Sequence, residues 1–143
     1  MTPADPDFPH EVLIDTSALY ALLDEGDVSH EPARALAETL FARDTVLVAT
    51  SSIVVEAAAL LQARLGRPAA RRFLLDLVPY LDIAWVEADL YARSVEAWLA
   101  EDRRDVSLVD CMSFALMHEL HIEHAFTFDR HFADGGFTIL PRL

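Results

Sequence analysis

The sequence predicts an α/β domain: a central, mostly parallel sheet of about five strands with helices on both faces. Three observations lead there. Short β-rich runs alternate with longer stretches of apolar periodicity. The chain has 143 residues and 53% hydrophobic content, long enough for one real core and too short for two ordinary ones. Glycine is scarce at four residues, and no repeat or low-complexity linker divides the chain. Strands separated by helices of this length need crossover connections, which pair the strands in parallel and put a helical layer on each face. One domain over 1–143 follows, with residues 1–10 as a loose N-terminal segment.

The elements run in this order. VLID at 12–15 is the first strand, and the helix at 17–24 follows it with Thr16 or Ser17 as cap. A helix at 31–42 carries Pro32 where a first turn tolerates proline. TVLVA at 45–49 is the second strand, followed by a helix at 52–65 with Ser51 or Ser52 as cap. Pro68 opens a helix at 68–78, and LDIAWV at 81–86 is the third strand. Helices at 88–101 and 108–120 come next. The second opens on SLVD, whose Ser107 and Asp110 have capping-box spacing. AFTF at 125–128 and FTIL at 137–140 complete the sheet.

Charge narrows the function. There are 24 acids against 11 basic residues, every one an arginine, for a formal charge of −13. That field repels nucleic acid at long range, so any nucleic-acid chemistry has to rely on local arginines, bound cations or both. It also favours a basic protein partner. The start of the chain, MTPADPDFPHE, has neither the basic nor the apolar region of a signal peptide, and no run is long and apolar enough to span a membrane, so a cytoplasmic protein with no membrane partner is expected. The single Cys111 excludes an internal disulfide and a cysteine zinc site.

Four acids fall toward one edge of the predicted sheet. Asp15 and Asp129 close the first and fourth strands, while Glu56 and Asp110 sit in the first turns of two helices. Ligands of open parallel sheets bind beyond the carboxyl ends of the strands. Taken singly, each acid is better explained as a cap or a partner for the helix dipole. Glu56 and Asp110 fit that explanation poorly, because their flanking residues are almost all apolar and predict a largely apolar setting. Two carboxylates about 4 Å apart repel by roughly 1 kcal/mol in water and roughly 4 kcal/mol at a protein-surface dielectric. Such a cluster calls for a counter-cation. The chain has no lysine, and all-oxygen ligation selects Mg²⁺, or Mn²⁺, over zinc.

In this order, IDTSAL, SSIVVEAAALL, DVSLVDCMSFALM and AFTFDRHFADGGFTIL resemble the PIN-domain ribonucleases and, within them, the VapC-type toxins of toxin–antitoxin pairs. The resemblance runs from Val12 to Leu140 and implies a PIN-like three-layer sandwich. Its acidic site falls on Asp15, Glu56, Asp110 and Asp129 as catalytic and metal-holding residues, with Thr16 and Ser107 as supporting hydroxyls. The implied activity is metal-dependent endonucleolytic hydrolysis of single-stranded or loop RNA. The implied partners are a VapB-type antitoxin and a second copy of the chain, for which the helices at 52–65 and 68–78 are the expected face. Arg130, beside Asp129, is the first candidate for substrate contact, with Arg103 and Arg104 ahead of the SLVD helix; a second arginine cluster, Arg64, Arg67, Arg71 and Arg72, lies around a helix junction.

Other readings have less support. HELHIEH offers His118, His121 and His124, but its HExH spacing is not the HExxH that puts two zinc ligands one turn apart. His30 and His131 read as packing or loop-capping residues. A haloacid dehalogenase-type phosphotransferase needs a DxD and a lysine, whereas DTS has Ser17 in the second position. A metal-dependent adhesion module needs DxSxS. The non-enzyme alternative is a catalytically silent PIN-fold module that binds RNA or protein.

Overall fold

A computed structural model describes residues 5–142. Five strands, β1 (Glu11–Ile14), β2 (Val46–Thr50), β3 (Asp82–Ala84), β4 (His124–Phe126) and β5 (Thr138–Leu140), form one sheet in the order β3-β2-β1-β4-β5. Every neighbouring pair is parallel. β1 is central: Leu13 pairs with Val48 of β2 on one side and Ala125 of β4 on the other. Val12, Leu13 and Ile14 are all fully buried, which is why this strand reads as a continuous apolar run without alternation.

Helices α1 (Thr16–Leu23), α2 (His30–Ala42), α3 (Ser51–Leu65), α4 (Arg67–Arg72), α5 (Ala88–Leu99), α6 (Leu108–Leu120) and α7 (His131–Asp134) cover the sheet. Leu19, Leu40, Ile53, Leu61, Phe73, Met117 and Phe132 are buried against it in a single cluster. No helix among the described residues is long and apolar enough to cross a membrane.

Several boundaries differ from the sequence expectation, each for a local reason. The helix at 68–78 divides: α4 is followed by a π-helical turn, Phe73–Leu77, and a 3₁₀ turn, Val78–Tyr80. Buried Phe73 anchors the wider turn, and Pro79 has no N–H with which to continue an α-ladder. The third strand is shorter than 81–86 because it is an edge strand. Past Ala84 the Val86 N–H donates to Ser51 Oγ at 3.0 Å instead of to a neighbouring strand. The cap of α3 is Thr50, whose Oγ1 accepts from Ile53 N at 3.0 Å, rather than Ser51 or Ser52. Neither Thr16 nor Ser17 caps α1, since Asp15 holds the N-cap position and makes no side-chain cap bond. The four-residue α7 went unpredicted, and Asp129 lies three residues beyond the end of β4 instead of closing it.

Of the N-terminal segment read as loose, residues 1–4 lie outside the described residues. The remainder is tied to the sheet: Thr45 Oγ1 donates to the Pro9 carbonyl at 3.0 Å, and Val46 N donates to that of His10 at 2.8 Å.

Candidate active site

A cleft of about 440 Å³ opens beyond the carboxyl ends of β1 and β4. Asp15, Thr16, Glu56, Ser107, Asp110 and Asp129 all line it, so the four acids and two hydroxyls read from the sequence share one site. Asp27 and Asp105 bring its carboxylates to six, against Arg64 as the one arginine.

Asp15 enters where the chain passes from β1 into α1. Its backbone N–H donates to the Phe126 carbonyl at 3.0 Å, which prolongs the β1–β4 ladder and fixes its height at the sheet edge. Thr127 Oγ1 lies 3.0 Å and Ser17 Oγ 3.1 Å from its Oδ2, both as donors. The same two hydroxyls accept from Asp129 N and Phe128 N at 2.9 Å each, so a short network locks the turn carrying Asp129 to the turn carrying Asp15. Burial pushes the Asp15 carboxyl up to about 6, against the donors that stabilise its charge, and the nearby Asp110 adds to the rise.

Asp110 is buried and closes the cap of α6. Ser107 Oγ accepts from Asp110 N at 3.0 Å and Asp110 Oδ2 accepts from Ser107 N at 2.9 Å, the capping box expected from SLVD. Burial raises its pKa, and the Asp129 carboxylate raises it further. Glu56 departs from expectation: it is exposed on α3, because the face carrying Val55, Glu56 and Ala59 turns away from the core formed by Ile53, Ala57 and Leu61. Its function therefore cannot be inferred from a cost of burial.

Histidine 131 was missed as a site residue. From the first turn of α7, its Nε2 meets Asp105 Oδ2 at 2.8 Å, while Nδ1 lies 2.8 Å from Asp129 Oδ1 and 3.5 Å from Asp110 Oδ2. The Asp105 contact holds its pKa above the ordinary value, with burial opposing. Its signal in the sequence was the DRH spacing, which on an N-terminal helical turn folds the ring back over the aspartate two residues earlier. Thr127 and Ser17 carried only the signal of hydroxyls two residues from an acid.

Asp110, Asp129 and His131 offer ligand atoms within 4.8 Å of one another. Thr16 Oγ1 is buried beside the acids without a hydrogen-bond partner. An excess of carboxylates with an unpartnered hydroxyl among them fits a divalent cation with its water shell.

The predicted arginines do not reach the cleft. Arg103 is engaged by Glu101 at 3.0 Å and Asp134 at 3.5 Å, while Arg104 and Arg130 are exposed and absent from its walls. In HELHIEH, His121 ends α6 in the left-handed conformation and His124 opens β4. The three histidines form no ligand group among the described residues.

A family profile described as PIN domain matches residues 12–137. The chain is 32% identical over 127 residues to the 23S rRNA-specific endonuclease VapC20 of Mycobacterium tuberculosis, in strains CDC 1551 / Oshkosh and ATCC 25618 / H37Rv, covering 88% of this chain and 95% of that protein. The crystal structure of Mycobacterium tuberculosis VapC20, described as a sarcin-ricin loop cleaving toxin, superposes with a TM-score of 0.81 at 30% identity, over 89% of this chain and 96% of the other.

Proposed function

Because the chain belongs to the PIN-domain family, we propose that it is an endoribonuclease that hydrolyses phosphodiester bonds of single-stranded or loop RNA as the toxin of a toxin–antitoxin pair. The observation that carries this reading is the convergence of Asp15, Glu56, Asp110 and Asp129 on one cleft at the carboxyl edge of the sheet.

Asp15 and Asp110 would hold the principal Mg²⁺ or Mn²⁺, and Glu56 and Asp129 would complete its water shell or a second site. The chemistry that such a cation would supply is a lowered pKa for water in the cleft and an offset to the charge developing at phosphorus. The chain's own residues do the rest. Ser17 and Thr127 orient Asp15 by donating to it, which leaves its carboxylate a preset acceptor. The capping box fixes Asp110 through Oδ2 and leaves Oδ1 for the cleft. His131, bridged to Asp105, restrains Asp129 and supplies partial positive charge against the acids. Water enters in line, and the products carry a 5′-phosphate and a 3′-hydroxyl.

A VapB-type antitoxin covers the acidic cleft with a basic segment, which the −13 charge favours. The protein acts in the cytoplasm as a homodimer. Exposed Val55 and Leu65 on α3 and Leu74 and Leu75 beyond α4 supply apolar area for that contact.

The deciding experiment is cleavage of a panel of single-stranded and stem-loop RNAs, a sarcin–ricin-type loop among them, by antitoxin-free protein. Metal-dependent cutting that EDTA stops and Asp110→Asn lacks is the expected result. Identical traces from folded wild type and variant across the panel would transfer the protein to the silent binding class.

A further inference from the structure

The eleven basic residues are all arginines, and most are unavailable to the cleft. Arg34, Arg93 and Arg103 are held by carboxylates on their own surface. Arg64 stands apart as the arginine in the cleft wall, and it enters no ion pair among the described residues. Its guanidinium carbon lies 5.2 Å from the centre of the Tyr20 ring, and Tyr20 is itself held by its hydroxyl donating to Asp24 Oδ2 at 2.6 Å. Two acids near this end face their own loop: Asp24 Oδ1 accepts from Gly26 N at 3.0 Å, and Asp27 Oδ1 accepts from Ser29 N at 2.9 Å.

Position along the helix separates Arg64 from the acid cluster. Glu56, Leu60 and Arg64 stand four residues apart on α3, so they form one stripe along the cleft wall. Eight residues at the α-helical rise put Arg64 about 12 Å from Glu56 along the axis. With that axial offset, and with its guanidinium resting on Tyr20 and paired to none of the acids, Arg64 is placed for a neighbouring part of the same strand more than for the bond being cut.

We propose that Arg64, steadied on the Tyr20 ring, binds a phosphate of the RNA that flanks the scissile one, and so sets which stretch of strand the cleft holds. This rests on the nuclease reading above. A planar fork resting on an aromatic face keeps its donors directed outward and loses less freedom on meeting a phosphate than an unsupported side chain. In a chain of charge −13 such a contact carries the register of the substrate, since the remaining field opposes it.

The test is steady-state cleavage of an oligonucleotide mapped to one cut site, and of a series with one flanking phosphate at a time replaced by neutral methylphosphonate. Arg64→Ala is expected to raise KM about tenfold with kcat within about twofold, and to make the salt slope of binding about 0.7 shallower, as loss of one single-strand phosphate contact does. One methylphosphonate position is expected to raise the wild-type KM by a similar factor and to add nothing in Arg64→Ala. Arg64→Lys, which keeps the charge but not the planar fork, is expected to restore the salt slope and recover only part of the KM loss, and Tyr20→Leu to show part of the loss. Unchanged KM in Arg64→Ala, or losses that simply add at every position, would overturn the inference while the nuclease reading stands. Weakened antitoxin binding with unchanged RNA kinetics would overturn it in favour of a protein contact. Failure of folded wild type to cut any RNA would remove both.

Discussion

Asp110 closes the capping box through Oδ2 and also lines the cleft, so one side chain is placed both for a structural role and for the metal-holding role proposed above. Asp110→Asn keeps the size and most of the cap, and is expected to lower cleavage at least a hundredfold while the folded state persists, as checked by gel-based cleavage beside circular dichroism. Asp15 leads to a pH prediction. Its folded pKa of about 6 exceeds its ordinary value of 3.8, so the folded protein holds this proton more tightly than the unfolded chain. Stability from this group is therefore complete below pH 3.8, is lost as pH rises to about 6, and stays lost above. The gap corresponds to on the order of 3 kcal/mol. Asp15→Asn has no such titration, so in EDTA its melting temperature is expected to exceed that of wild type by several degrees at pH 7.5, with the difference shrinking toward pH 4. Thermal melts of both proteins across that range check it, and a constant difference would refute the assignment.

At the level of elements, two caps of similar strength have different functional weight. Thr50 caps α3 from a fully buried position, and Ser107 caps α6 while pairing with Asp110. Alanine at either is expected to cost about 1 kcal/mol of stability. Thr50→Ala is expected to keep its kcat, because Thr50 does not line the cleft. Ser107→Ala keeps the backbone N–H that holds Asp110 Oδ2 but removes the hydroxyl that caps Asp110 N and lines the cleft, so kcat is expected to fall as well, by about tenfold, as the first turn of α6 loosens beside the acids. Denaturant melts together with kcat separate the two; equal kcat in both variants would detach the capping box from catalysis. The short α7 has a related role, since it brings His131 over Asp129 and joins the acid turn to Asp105.

For the whole molecule, the excess of negative charge governs the expected behaviour toward cations and RNA. Six carboxylates around one cleft repel one another, and a divalent cation that binds the folded state relieves that repulsion. Mg²⁺ at about a hundred times its Kd is expected to stabilise by about 2.7 kcal/mol, read as a rise in melting temperature that Asp15→Asn and Asp110→Asn lack. The −13 charge predicts an association rate with RNA that increases severalfold as monovalent salt is raised from low to physiological levels, the reverse of a basic nuclease. Stopped-flow binding to the inactive Asp110→Asn protein measures that sign directly.

The sequence by itself determined the fold class, the strand order along the chain and the positions of the four acids, because strand and helix periods, the SLVD cap and the TFDRHF stretch are local signals. Only the tertiary structure decided that β1 lies between β2 and β4, which brings Asp15, Asp110 and Asp129 to one edge. It also decided that Glu56 is exposed, that His131 belongs to the site, and that Arg64 rather than Arg103, Arg104 or Arg130 faces the cleft. Those outcomes depend on crossover packing and on which side of a helix meets the sheet. Such contacts join residues more than a hundred positions apart, as Asp15 and Thr127 are, and no local pattern of residues encodes them.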